Sequence, residues 1–331
     1  MSREVVAIID FGSQYAQLIA RRVREQKVYS QIYQPNVKAE KLAQLGVKGI
    51  ILSGGPASVY SENAPMCDER IFDLGVPILG ICYGMQIGCK VLGGDISPAK
   101  SREYGRTNLT IADGSDLFAS LPGTTTVWMS HGDQVNELSD DFVALATTSS
   151  CPYAAVKHKG GKFYGVQFHP EVTHTPHGVD ILKNFLYDVC RCAGDWRMSD
   201  FVEQTVKSVR KQVAEATVIC GLSGGVDSAV TAALLHKAIG DQLICIFVDN
   251  GLLRKNERQG VISMFHDHFH IDLRVVDWGA KFLARLADVT DPQEKRKIIG
   301  AEFIEAFKSE ACLLYTSPSP RDLSTSRMPS S

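Results

Sequence analysis

The run Val76-Pro77-Ile78-Leu79-Gly80-Ile81-Cys82-Tyr83-Gly84-Met85-Gln86 decides the fold of this chain. Its apolar half predicts a buried strand over Val76–Ile81, and a helical pattern begins at about Gly84. Between them lies Gly-x-Cys-x-Gly, a nucleophile elbow with cysteine in place of serine. The glycines permit a tight strand-to-helix turn that lifts the side chain between them above the sheet. A helix N-terminus behind a thiol favours the thiolate. The amide of Tyr83 then becomes a candidate oxyanion donor. A buried structural cysteine before a glycine turn would carry the same letters, so the elbow alone leaves both readings open.

Outward from this run the same rhythm repeats. Val5–Ile9 reads as a strand, followed by a helix around Gln14–Gln26. Gly49–Leu52 is a strand ending in Ser53-Gly54-Gly55-Pro56, whose backbone amides can serve the same oxyanion. The alternation of Thr and Val over Thr107–Val156 predicts added, antiparallel strands. Phe163–Phe168 is a further strand and Val179–Cys192 a helix. Strand-then-helix order implies an open α/β sheet with its chemistry at the strand ends. After a junction at Asp195–Asp200 the rhythm restarts. Ser199 or Asp200 is a candidate N-cap for a helix over Phe201–Ala214. Strands at Val218–Leu222, Leu243–Val248 and Leu273–Val276 then alternate with helices at Ser228–Ala238 and Lys255–His268. This is a second α/β unit, and no fixed-period repeat is visible.

Composition narrows the function. The chain has 331 residues, 44% hydrophobic and 22% charged, as in an ordinary globular protein. A net charge of −2 makes no case for nucleic acid. No apolar run approaches a membrane span, and the N-terminus reads as a strand rather than a signal peptide. The nine cysteines are scattered without a C-x-x-C pair, which argues against a disulfide framework and for a reducing, cytoplasmic setting. Cys190 and Cys192 read as structural. His266, His268 and His270 alternate, but no fourth metal ligand accompanies them.

A nucleophilic thiol needs a base, and the base needs an orienter. Phe168-His169-Pro170-Glu171 supplies both at a strand end. Residues two apart in extended chain share a side, so Glu171 can hold the His169 tautomer. Together, Gly80-Ile-Cys82-Tyr-Gly84-Met-Gln86 and His169-Pro-Glu171 resemble the class I glutamine amidotransferase family. The resemblance implies a flavodoxin-like α/β domain that hydrolyses glutamine to glutamate and ammonia. By position, Cys82 would be the nucleophile, His169 the base and then the acid, and Glu171 its partner. Gly55 and Tyr83 would form the oxyanion hole. Gln86 and the segment Ser130-His131-Gly132-Asp133 would hold L-glutamine, although an exposed polar loop is an equal reading of 130–133.

Ser223-Gly224-Gly225-Val226-Asp227-Ser228 falls between a strand and a helix. Its glycines can turn amides inward as an anion nest, helped by the helix N-terminus. Asp227 is a candidate magnesium ligand, although Asp227 or Ser228 could also be a simple N-cap. The six residues resemble the PP-loop of the ATP pyrophosphatase family, with an adenine-nucleotide α-hydrolase-like fold. That resemblance implies ATP and Mg2+, with Val248 bordering the adenosine. The stretch Asp291–Gly300 reads either as a solvated charged face or as a lid whose Lys295 and Lys297 neutralise phosphate.

The order of the two motifs resembles the glutamine-hydrolysing GMP synthetase family, over roughly residues 4–311. Carried over, it implies that XMP is adenylated by ATP and aminated to GMP, in a homodimer, with no nucleic acid or membrane partner. The match stops near Ala311, before the family's remaining ATP pyrophosphatase region and its XMP-binding, dimerising domain. Cys312–Ser331 resembles the conceptual translation of a sequencing adaptor. The expected organisation is therefore an amidotransferase domain over 1–195, the first part of an ATP pyrophosphatase domain over 200–311, and a structureless foreign tail over 312–331. On this expectation the chain is a truncated product that keeps the glutaminase part. The alternatives are another PP-loop ligase such as an NAD synthetase, or a non-catalytic nucleotide- or glutamine-binding fragment.

Overall fold

The computed structural model describes residues 4–316. The chain forms two units that divide between Arg197 and Met198.

In the first unit the elements run β1 (Val5–Ile9), α1 (Ala16–Glu25), β2 (Tyr29–Tyr33), α2 (Ala39–Leu45), β3 (Gly49–Leu52), β4 (Ile78–Ile81), α3 (Tyr83–Val91), β5 (Asp95–Ile111), β6 (Thr124–Glu137), β7 (Phe142–Thr147), β8 (Ala155–His158), β9 (Phe163–Val166) and α4 (Gly178–Asn184). They build one nine-stranded sheet of order β2-β1-β3-β4-β9-β8-β7-β5-β6. The first five strands in that order are parallel, the flavodoxin-like arrangement. The rest are antiparallel additions.

Period-two alternation sorts the core. Val6 and Ile8 of β1 face a cluster with Ile19 and Val23 of α1 and Ile181 and Leu182 of α4. Val5, Ala7 and Ile9 face the opposite cluster, with Leu42 of α2 and Met85 and Ile87 of α3. A parallel strand buried on both faces must be apolar throughout, which is why β1, β3 and β4 read as unbroken apolar runs.

The structure departs from the sequence reading in several places. That reading assigns no element between 27 and 48, yet β2 and α2 lie there. The strand β2 is an edge strand with a polar sequence, Y-S-Q-I-Y, and carries little apolar signal. The fourth strand starts at Ile78, after Pro77, rather than at Val76. The strand β5 begins at Asp95, well before Thr107. Beyond α4 the helix widens to a π-type turn over Phe185–Val189.

The second unit comprises α5 (Met198–Val213), β10 (Val218–Leu222), α6 (Val226–Ile239), β11 (Leu243–Asp249), α7 (Glu257–Ile262), β12 (Asp272–Asp277), α8 (Gly279–Leu286) and α9 (Pro292–Thr316). Its sheet is β10-β11-β12, all parallel. One face packs α5, α6 and the π-type turn after α7 through Val206, Ala232 and Phe265. The other packs α8 and α9 through Phe282 and Ala306. Because α5 starts at Met198, Ser199 and Asp200 lie inside its first turn and neither is the N-cap. Ser199 Oγ hydrogen-bonds the Asp200 carboxylate instead (3.3 Å).

The helix α9 continues through Cys312–Thr316, the first residues of the segment read as a structureless tail. Glu310–Leu314 has good helix formers and no proline before Pro318, so nothing local stops the helix at Ala311. The remainder of that segment, 317–331, lies outside the described residues.

Candidate active site

The elbow is formed as its spacing requires. Cys82 links β4 to α3 with φ 50° and ψ −105°, a conformation that side chains other than glycine rarely adopt. Close backbone approach fixes both flanking glycines. A Cβ on Gly80 would lie 2.6 Å from the Gly84 carbonyl, and one on Gly84 would lie 2.3 Å from Leu52 O. The Gly84 N–H donates to Ser53 O (3.0 Å), tying the elbow to the end of β3.

His169 follows β9, the strand beside β4. Its Nδ1 lies 2.7 Å from Glu171 Oε1, and its ring stands beside Cys82 across Gly54. All three side chains are buried: Cys82 is 6%, His169 5% and Glu171 0% exposed. Burial alone would discharge the imidazole. The neighbouring Cys82 and the Glu171 carboxylate, which accepts from Nδ1, outweigh it and hold the His169 pKa well above its ordinary value. The raised pKa favours the protonated ring.

The surroundings fix this geometry. Thr175 Oγ1 donates to His169 O (2.7 Å) and accepts from Trp128 N–H (3.1 Å). The His169 N–H donates to Trp128 O (3.0 Å), and Arg22 Nε donates to Glu171 O (3.1 Å). Tyr15 sets its ring edge-on to His169 at 5.4 Å. Gly54 lines the gap between base and nucleophile, since a Cβ there would lie 3.2 Å from His169 Cε1 and 3.8 Å from Cys82 Cβ.

The expected oxyanion residues adjoin each other. Tyr83 opens α3, where first-turn N–H groups have no intrahelical acceptor. A Cβ on Gly55 would lie 3.2 Å from the Tyr83 ring. Residues 130–133 are not an exposed loop, because they lie within β6. Cys82 Sγ sits 3.7 Å from Ser130 O. Gln86 Nε2 donates to Asp133 O (2.9 Å), so that amide braces the wall of the site. The Ser130 side chain is exposed, whereas His131 is buried and turns to Glu103.

Sequence reasoning missed Gln167. Its Nε2 donates to Cys82 Sγ (3.5 Å), and its Oε1 accepts from Gln86 (3.3 Å). A signal exists, since Gln167 precedes His169 by two residues on the same strand end. Ser53 also acts through its side chain and not only its amide. Its Oγ accepts from Phe11 N–H (3.0 Å) and donates to Gly54 O (2.8 Å), shaping the loop beside the thiol.

In the second unit, Ser223–Gly225 turns from β10 into α6 with Gly224 at φ 75°. The N-cap is Gly225, so neither Asp227 nor Ser228 caps the helix. Val226, Asp227 and Ser228 form the first turn. Ser228 Oγ accepts from Ser223 N–H (3.3 Å) and donates to Gly225 O (3.0 Å). Val248, by contrast, is 4% exposed and packs with Phe282 and Ala306. Its side chain belongs to the core, so any contact with a nucleotide would come from its main chain. Lys295 and Lys297 are exposed in the first turns of α9. Residues two apart lie about 200° apart around a helix, so the two cannot meet one phosphate from one face. Asp291 Oδ1 caps this helix by accepting from Glu294 N–H (2.8 Å), so the stretch is the start of a helix. His266 and His268 lie in a π-type turn and His270 in the loop before β12, so they do not share a strand face.

Comparison with known proteins agrees with this division. Residues 7–189 match the family described as glutamine amidotransferase class-I, and residues 197–302 match the one described as NAD synthase. A glutamine-hydrolyzing GMP synthase of Caldanaerobacter subterraneus subsp. tengcongensis is 53% identical over 311 residues, covering 94% of this chain and 61% of that protein. The Bacillus subtilis protein of the same name is 52% identical over 308 residues, covering 93% and 60%. The chain thus spans about three fifths of the length of these relatives. A crystal structure from Thermoplasma acidophilum, described as that of a GMP synthase subunit, aligns with TM-score 0.53 and 31% identity. It covers 58% of this chain and 96% of its own.

Proposed function

Since the chain belongs to the class I glutamine amidotransferase family, we propose that its first unit hydrolyses glutamine and that its second binds ATP. The wider reaction is the amination of XMP to GMP. The observation that carries the glutaminase reading is a buried His169–Glu171 hydrogen bond of 2.7 Å, with the imidazole beside Cys82 at a strained elbow.

The steps follow from these groups. The Cys82 thiolate attacks the side-chain amide carbon of glutamine. The carbonyl oxygen becomes an oxyanion facing the N–H groups of Tyr83 and Gly55. His169, already protonated, gives its proton to the departing nitrogen, and ammonia leaves a glutamyl thioester on Cys82. His169, now neutral, takes a proton from water as the water attacks the thioester. Glutamate leaves, and the thiolate–imidazolium pair is restored. Glu171 holds the ring with Nδ1–H directed at its carboxylate throughout.

ATP would lie with its phosphates against the amides of Gly224–Ser228 and the hydroxyls of Ser223 and Ser228. Asp227 is exposed on the first turn of α6, and one carboxylate with substrate phosphates is a sufficient donor set for Mg2+. The ion would there neutralise phosphate charge. The close likeness to GMP synthases favours XMP as acceptor over the acceptor of an NAD synthase. We place the reaction in the cytoplasm; the resemblance implies a homodimer for the full-length family, through the dimerising domain that this chain's match does not reach.

Glutamate formation from glutamine by the purified chain tests the first half. Activity that Cys82→Ala abolishes is the expected result, and activity that survives it overturns the reading. Pyrophosphate release that requires XMP tests the acceptor, and release supported by a different acceptor contradicts GMP formation.

A further inference from the structure

A buried polar chain outside the reacting triad runs from Thr148 through Glu103 and His131 to Asp133. Glu103 and His131 stand directly opposite each other where β5 and β6 resume pairing after a register shift. Glu103 Oε2 lies 3.2 Å from His131 Nε2, with the histidine side chain 1% exposed. Thr148 Oγ1 donates to Glu103 Oε1 (3.1 Å) and accepts from Cys151 N–H (3.0 Å). On the other side of the ring, Nδ1 lies 3.1 Å from Asp133 O. A carbonyl oxygen can only accept, so Nδ1 carries a hydrogen. The same oxygen accepts from Gln86 Nε2. Two buried donors therefore pin the Asp133 peptide, and three residues earlier Ser130 O faces Cys82 Sγ.

Apolar side chains would fill this cross-strand position with no loss of stability. They could not link a carboxylate to a peptide carbonyl. We propose that Glu103 and His131 are positioning residues that hold the 130–133 backbone against Cys82 and Gln86, and so set the affinity for glutamine. The inference rests on the glutaminase reading.

Glu103→Ala frees the ring and should raise the glutamine KM about tenfold, the order expected for one lost buried hydrogen bond, with kcat changed by less than about twofold. Capture of Cys82 by a glutamine-shaped diazoketone should slow by the same factor. Alkylation by iodoacetamide, which needs the thiolate but no glutamine contacts, should proceed at the wild-type rate. Glu103→Gln should restore most of the affinity, because its amide can donate to Nε2 and leave Nδ1–H on Asp133. If Glu103→Ala does not fold, Thr148→Val should show a smaller KM rise in the same direction. An unchanged KM, a Gln variant as poor as Ala, or iodoacetamide slowing in parallel overturns the proposal. A wild-type chain that neither hydrolyses glutamine nor captures the diazoketone overturns the glutaminase reading itself.

Discussion

Cys82 holds a backbone conformation that glycine tolerates and other residues rarely adopt, with φ at 50°. Such a residue costs on the order of 1–3 kcal/mol, and the proposed glutaminase chemistry, with the thiol between His169 and the oxyanion amides, accounts for its retention. Cys82→Gly should therefore be more stable to urea than Cys82→Ala, by about 1 kcal/mol. Equal stability would show that the elbow is unstrained. His169 makes a second prediction at this scale. Its raised pKa means that the folded chain binds the proton more tightly than the unfolded chain does. That contribution to stability is complete below the ordinary value of 6.5 and is lost as pH rises through the raised pKa. His169→Gln should thus lower Tm most in mildly acid solution, and its deficit against wild type should shrink at alkaline pH. A deficit that widens with pH would contradict a charged His169.

At the scale of elements, the turn from β4 into α3 depends on backbone contact between α3 and β3. Gly84→Ala adds a methyl 2.3 Å from Leu52 O and should destabilise the first unit by about 2–3 kcal/mol in a denaturant titration. Gly260, inside α7 with nothing within 4 Å of its would-be Cβ, is the control. There alanine should stabilise by roughly 0.5–1 kcal/mol through helix propensity. A harmless Gly84→Ala would mean that α3 can shift away from β3. The same contrast explains what is legible in sequence. The elbow, the His-x-Glu pair and the PP-loop turn are local patterns, so Cys82, His169, Glu171 and Ser223–Ser228 can be read as strings of residues. Glu103 and His131 are not local, because the pairing of β5 with β6 around a register shift brings them together. At Val248 the string of residues does not say that the side chain points into the core. For Lys295 and Lys297, counting charge does not show the helical period that separates them.

At the scale of the whole molecule, each unit owns its core. The first unit's two clusters draw only on residues up to Cys192, and the second unit's only on residues from Val202 onward. Trypsin should cut early at exposed Arg197, which lies at the end of an irregular stretch just before α5. Calorimetry should resolve two transitions, and a single cooperative one would contradict independent cores. Among the described residues no helix is long and apolar enough to cross a membrane. The central claim is that Cys82, His169 and Glu171 turn glutamine over through a thioester. Its most direct test is rapid acid quench of the chain with glutamine, followed by mass analysis of the peptide bearing Cys82. The predicted result is a glutamyl adduct on Cys82 in the wild-type chain during turnover, and none on any residue of Cys82→Ala. Glutamate formed with no adduct on Cys82, or an adduct on another cysteine, would contradict it.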